Sequence, residues 1–130
     1  MDESDYWLDL SKYDFETAKA MNTSKRFLYV GFMCHQVMEK VLKAYYSHCF
    51  DDTPPYTHNL SLLSQKTGLY SELSEDQKNF LDFLEPLNIQ ARYPTRKEKL
   101  LELLTEDKCL EIIRRTESEL EWVTRKLSKK

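Results

Sequence analysis

The run Ser24-Lys-Arg-Phe-Leu-Tyr-Val-Gly-Phe-Met-Cys-His-Gln-Val-Met-Glu-Lys-Val-Leu-Lys-Ala-Tyr-Tyr-Ser-His-Cys49 decides how this chain folds. Phe27, Val30, Cys34, Val37, Met38, Val41, Leu42 and Tyr45 recur in it at steps of three and four, which is one wide apolar stripe of an α-helix. Asn22-Thr-Ser24 supplies cap candidates for its start. Asp51-Asp-Thr-Pro-Pro55 stops it near Cys49, because proline cannot continue a helix and restricts the residue before it. The reading is a helix from near Ser24 to near Cys49, the longest of the chain.

The same logic works outward in both directions. Trp7, Leu10, Ser11, Asp14, Ala18 and Met21 share one face of a helix over Tyr6 to Met21, for which Ser4 is the expected N-cap. Downstream, Leu60, Leu62 and Leu63 predict a short helix closed by Gly68, a residue able to take a left-handed conformation. Ser74 and Gln77 have capping-box spacing ahead of Phe80, Leu81, Phe83, Leu84 and Leu87. Pro86 predicts a kink or an early end there. Arg92-Tyr-Pro-Thr-Arg96 is expected to be a non-helical joint. Lys97 to Leu104 predicts a helical turn, and Thr105 opens a last helix carrying Leu110, Ile113, Leu120, Val123 and Leu127. Five helices, with no strand, predict an all-α antiparallel up-and-down bundle of four main helices plus a short accessory helix, in one domain over residues 1–130.

Composition agrees and excludes several functions. The 130 residues are 41% hydrophobic and 32% charged, with two glycines and four prolines, which suits a helical globule rather than a disordered chain. A net charge of −3 gives no general attraction to nucleic acid, so any phosphate site must be a local patch. No stretch is long and apolar enough to span a membrane, the acidic start lacks a signal-peptide pattern, and a cytoplasmic location is expected. Cys34, Cys49 and Cys109 are too few and scattered for a disulfide framework and read as reduced structural thiols. His35, His48 and His58 lack metal-ligand spacing backed by acids, and there is no glycine-rich phosphate loop, so neither metal nor cofactor is expected. Eight tyrosines, six phenylalanines and two tryptophans are unusually many; they suit packing of the core and its lid, and the surplus also suits a self-association face.

The chemistry-bearing candidates cluster on the central helix and the later joint. Glu39 and Lys43 stand four apart in the favourable order for an exposed ion pair. In a functional reading, Lys40, Lys43 and Arg92 surround an anion while Glu39 orients a basic group. Arg92 sits on a proline joint, and a guanidinium fork held there is suited to phosphate or to a buried carboxylate. Asp14 lies on the stripe of the first helix and needs a partner, with Arg92 the first choice and Lys40 the second; these residues then form one polar network. Tyr93 is a candidate for stacking on a base. His58 is expected to cap or pack, with a general-base role the alternative.

Cys34-His-Gln-Val-Met-Glu-Lys-Val-Leu-Lys-Ala-Tyr-Tyr46 resembles the HEPN family's pattern of a Gln followed by Glu-Lys and then Lys-Ala on one long helix. Trp7 with Asp14 and Ala18, Thr57-His-Asn-Leu60, and Ala91-Arg-Tyr-Pro94 are similar to that family's opening and its two joints, in family order. The resemblance implies a helical bundle that homodimerises, acts beside a minimal nucleotidyltransferase, and in some systems belongs to a toxin–antitoxin pair. Many family members are metal-independent ribonucleases that carry an Arg with a His five to seven positions downstream. Here no His follows His58, which argues against nuclease activity of that kind. The reading is therefore a HEPN-like module binding a nucleotide or RNA phosphates, with a ribonuclease or a structural dimerisation scaffold as alternatives.

Overall fold

The computed structural model describes residues 2–90 and 97–128. Six α-helices follow in order: α1 (Glu3–Thr23), α2 (Phe27–Cys49), α3 (Leu60–Thr67), α4 (Glu75–Gln90), α5 (Lys97–Leu103) and α6 (Glu106–Ser128). A 3-10 turn over Leu69–Glu72 joins α3 to α4, and no strand occurs among the described residues. The described residues are thus all-helical as expected, with one more α-helix among them than the five read from the pattern, because Lys97–Leu103 is a helix of its own.

Local chemistry explains most boundaries. Asp2, rather than Ser4, caps α1 by accepting from the Asp5 amide, while Ser4 donates from within the helix to the Ala44 carbonyl at 2.9 Å. Between α1 and α2 the chain turns within three residues by placing Lys25 at φ 60°, and α2 starts at Phe27 without a side-chain cap. α2 is not the longest helix alone, since α6 has the same 23 residues. Asn59 caps α3, and Gly68 ends it at φ 87°. The capping box forms in full: the Ser74 amide donates to Gln77 Oε1 at 2.8 Å, and the Gln77 amide to Ser74 Oγ at 3.1 Å. The Lys108 amide donates to Thr105 Oγ1 at the start of α6.

Pro86 does not end α4, which runs on to Gln90. The ring lies twelve residues into the helix and is exposed, so only one internal hydrogen bond is forgone while the apolar face, Phe80, Leu81, Leu84 and Leu87, stays seated in the core.

α2 is the hub, packing against α1, α3, α4, α5 and α6. Val30, Cys34, Val37 and Val41 are fully buried, and α1 delivers Phe15 and Ala18 to them. Each such aliphatic or aromatic side chain contributes about 1.5–3 kcal/mol relative to exposure. Gly31 permits close approach of α4: a Cβ there would stand 2.8 Å from Leu87 Cδ1. α6 turns Cys109, Ile112, Ile113, Thr116, Leu120 and Val123 inward, which includes Ile113, Leu120 and Val123 of the stripe read from the sequence, and leaves Leu110 of that stripe at 42% exposure.

Candidate functional site

A buried carboxylate organises the α3 side of α2. Glu39 is 4% exposed and accepts from two groups: Lys43 Nζ approaches Oε2 at 3.0 Å, and His58 Nδ1 lies 2.8 Å from Oε1. Lys43 is itself 7% exposed, so the Glu39–Lys43 pair is a buried one and not the exposed pair that its i,i+4 spacing suggests. The difference is energetic as well as geometric. Exposed pairs contribute a few tenths of a kcal/mol, whereas stranding one partner of a buried pair costs about 3–5 kcal/mol.

His35, one turn before Glu39, has no exposed surface. Its Nε2 lies 3.2 Å from Glu85 Oε2 on α4, and its Nδ1 is 4.0 Å from Glu39 Oε1, without a hydrogen-bond partner. Glu85 also accepts from the Leu60 amide at 3.0 Å, at the first turn of α3. The sequence Glu85, His35, Glu39, His58 therefore runs as a string of alternating carboxylates and imidazoles from α4, through the core, to the α3 entrance. His58 neither caps α3 nor packs inside. Asn59 takes the cap, and the His58 side chain remains 53% exposed.

Two aromatic rings stand beside the Lys43 ammonium. The Trp7 ring centroid is 5.3 Å from Nζ and that of Tyr56 is 6.0 Å away, both within cation–π range. Tyr56 follows Pro54-Pro55 and is wholly exposed, so a ring face stands in solvent near the half-exposed His58. Trp7 contributes a buried Nε1 that has no hydrogen-bond partner among the described residues.

The other predicted residues divide differently from the reading above. Asp14 pairs with Lys40, the second of the two partners considered, on the α1 side of α2. Lys40 is thereby committed to a carboxylate and belongs to a different contact from the Glu39–Lys43–His58 cluster, so the single network splits in two among the described residues. Arg92 and Tyr93 lie outside the described residues. The residues sequence reasoning missed are Glu85 and Tyr56. Glu85 sits beside a proline on no conspicuous stripe, and Tyr56 is one of eight tyrosines, so neither carried a local signal.

Chemically the cluster offers hydrogen-bond donors, a half-exposed imidazole and a stacking surface. It holds no thiol nucleophile: burial pushes the Cys34 thiol up to about 12 and Cys109 up to about 11. Among the described residues no group of three or more His, Cys, Asp or Glu is placed to hold a metal ion, and no helix is long and apolar enough to cross a membrane.

Comparison with known proteins agrees with the pattern on α2. No curated protein and no solved structure matches the chain. The family profile described as HEPN domain, however, matches residues 4–127, nearly the whole length. With the long α2, the Thr57–Leu60 joint and the α1 stripe all inside that span, the chain belongs to the HEPN domain family.

Proposed function

We propose that the chain is a binding module for a nucleotide or for RNA phosphates, working as a homodimer beside a nucleotidyltransferase partner. The observation that carries this reading is the cluster of Lys43, His58 and the wholly exposed Tyr56 around buried Glu39. A base stacks on Tyr56, an interaction worth about 1–3 kcal/mol. Its phosphate lies against the half-exposed His58 ring, which Glu39 orients through Nδ1, with the buried Lys43 ammonium behind it. α1, α2, α4 and α6 form an up-and-down bundle that carries the site. Membership of the family supports the class of ligand, and the rings and donors support its place.

The experiment is a thermal-shift titration with adenosine and guanosine nucleotides and a short oligoribonucleotide. A ligand that binds only the folded state raises the melting temperature with concentration. Tyr56→Ala is expected to abolish that rise while leaving the free protein's melting temperature within a degree or so, because a wholly exposed ring contributes little to folding. A shift that survives Tyr56→Ala rejects this site.

A ribonuclease reading has one specific support. With Nδ1 donating to buried Glu39, the half-exposed His58 ring leaves Nε2 as an acceptor without a partner among the described residues, the arrangement of an oriented general base. Cleavage of RNA in the presence of a chelator that disappears in His58→Ala favours this second reading; absence of cleavage in the wild-type protein rejects it.

A further inference from the structure

His35 and Glu85 have no role in the binding reading above, yet they stand directly behind the carboxylate that aims His58. The His35 ring has no exposed surface, so its two nitrogens must find their partners inside the protein. Nε2 lies 3.2 Å from Glu85 Oε2, whereas Nδ1 has no hydrogen-bond partner and stands 4.0 Å from Glu39 Oε1. That same oxygen accepts from His58 Nδ1 at 2.8 Å, while Lys43 holds the other oxygen at 3.0 Å. Two imidazoles thus face one oxygen, and it lies with His58. A neutral imidazole donates from one nitrogen only, and the partner of that nitrogen decides which one it is. An ionised Glu85 can only accept, so it keeps the His35 proton on Nε2. Nδ1 is then a bare lone pair, which a carboxylate oxygen avoids. The 4.0 Å gap fits this arrangement, because a proton on Nδ1 would draw Oε1 into hydrogen-bond range.

We infer that Glu85 and His35 are positioning residues for His58: by holding the His35 proton on Nε2, Glu85 denies His35 a claim on Glu39 Oε1 and leaves that oxygen to orient the His58 ring. The inference rests on the proposed binding reading only where ligand affinity is concerned; the placement of the two ring protons stands by itself. A second contact of Glu85 makes the idea separable from simple loss of structure. Its Oε1 accepts from the Leu60 amide at 3.0 Å. In Glu85→Gln the amide oxygen is expected to stay with that N–H, since an NH2 group there would set donor against donor. The amide nitrogen then takes the place of Oε2 and donates to His35 Nε2. His35 must carry its proton on Nδ1 instead, facing Glu39, and compete with His58 for Oε1.

Long-range proton–nitrogen NMR of the imidazole rings in the full chain tests this, because protonated and bare ring nitrogens resonate far apart. Spectra are taken at about pH 8, above the ordinary histidine range, with the rings assigned through His48→Gln and His58→Gln. The wild-type protein is expected to show His35 bare at Nδ1 and His58 protonated at Nδ1. Glu85→Gln is expected to move the His35 proton to Nδ1 and to return His58 toward the Nε2–H form that an unattached imidazole favours. Asp82→Asn controls for loss of a negative charge from α4: Asp82 is exposed and accepts from Ser61 on α3 at 3.3 Å, and its replacement is expected to leave both rings as they are. With adenosine monophosphate as the probe, Glu85→Gln is expected to weaken binding by about fivefold, the effect of roughly one hydrogen bond, and Asp82→Asn not to weaken it. Circular dichroism checks that both variants fold. A proton on His35 Nδ1 in the wild-type spectra overturns the inference without any variant, and so does a Glu85→Gln protein with unchanged rings. Inverted rings with unchanged affinity overturn the positioning role. If the wild-type protein binds no nucleotide, the binding reading falls, and the ring spectra alone decide whether Glu85 sets the two protons.

Discussion

Glu39 is the residue whose replacement separates structure from decoration. Its carboxylate is the shared acceptor of Lys43 and His58, and Lys43 is buried. Glu39→Gln is therefore expected to cost about 3–5 kcal/mol in urea denaturation, the penalty of leaving a buried ammonium without its counter-charge. Adding Lys43→Met is expected to recover part of that loss, because the stranded charge is then gone; a strictly additive double variant would show that the pair is not coupled. Glu119 behaves in the opposite sense. Burial pushes its carboxyl up, while the hydrogen bond from Gln77 and the nearby Arg115 guanidinium pull it down less strongly. A raised carboxyl binds its proton more tightly in the folded chain, so its contribution is fully present below the ordinary glutamate value of about 4.3 and is lost as pH rises through the folded value. Glu119→Gln, which keeps an acceptor for Gln77, is expected to be more stable than wild type at pH 7, with the advantage shrinking toward pH 4.

At the scale of elements, α3 shows how a short helix is held in place. Eight residues are too few to persist alone. Leu60 and Leu63 anchor α3 in the core, Glu85 fastens its first turn, Asn59 caps it, and Gly68 closes it. Gly68→Ala is expected to cost about 1–2 kcal/mol in denaturation experiments, purely from the left-handed backbone, since an added Cβ meets nothing within 4 Å. The helix and its glycine stop were legible because apolar spacing, cap and stop are all local signals. The Ser74–Gln77 box was legible for the same reason. What the sequence did not disclose depends on neighbours distant in the chain. Spacing alone placed Glu39 and Lys43 on one face, but burial of that face comes from the packing of α1 and α3 over it. Asp14 plainly needed a cation, yet the choice between Lys40 and Arg92 required knowing that α1 lies along α2. On α6 the core positions Ile113, Leu120 and Val123 were legible, but Leu110 is apolar and faces outward, while Cys109 and Thr116 fill the core without an apolar signal.

At the scale of the whole molecule, charge sets how a phosphate ligand is bound. A chain of net charge −3 lacks the broad basic surface that gives nucleic-acid binding its steep salt dependence. Much of its positive charge is already paired: Lys40 with Asp14, Lys43 with Glu39, Arg115 with Asp76 and Lys126 with Glu72. Binding over the Glu39–Lys43–His58 cluster therefore neutralises at most roughly two phosphates, and single strands lose about 0.7 in logarithmic slope for each phosphate neutralised. Raising salt from about 50 to about 200 mM is then expected to weaken binding of a short oligoribonucleotide by no more than roughly 5- to 10-fold, measured by fluorescence anisotropy. A ligand held mainly by stacking on Tyr56 would show less than this. A loss of about a thousandfold or more means about seven or more phosphate contacts on a single strand. No site as narrow as the one over Glu39 supplies that many, so such a result would move the nucleic-acid surface elsewhere on the molecule.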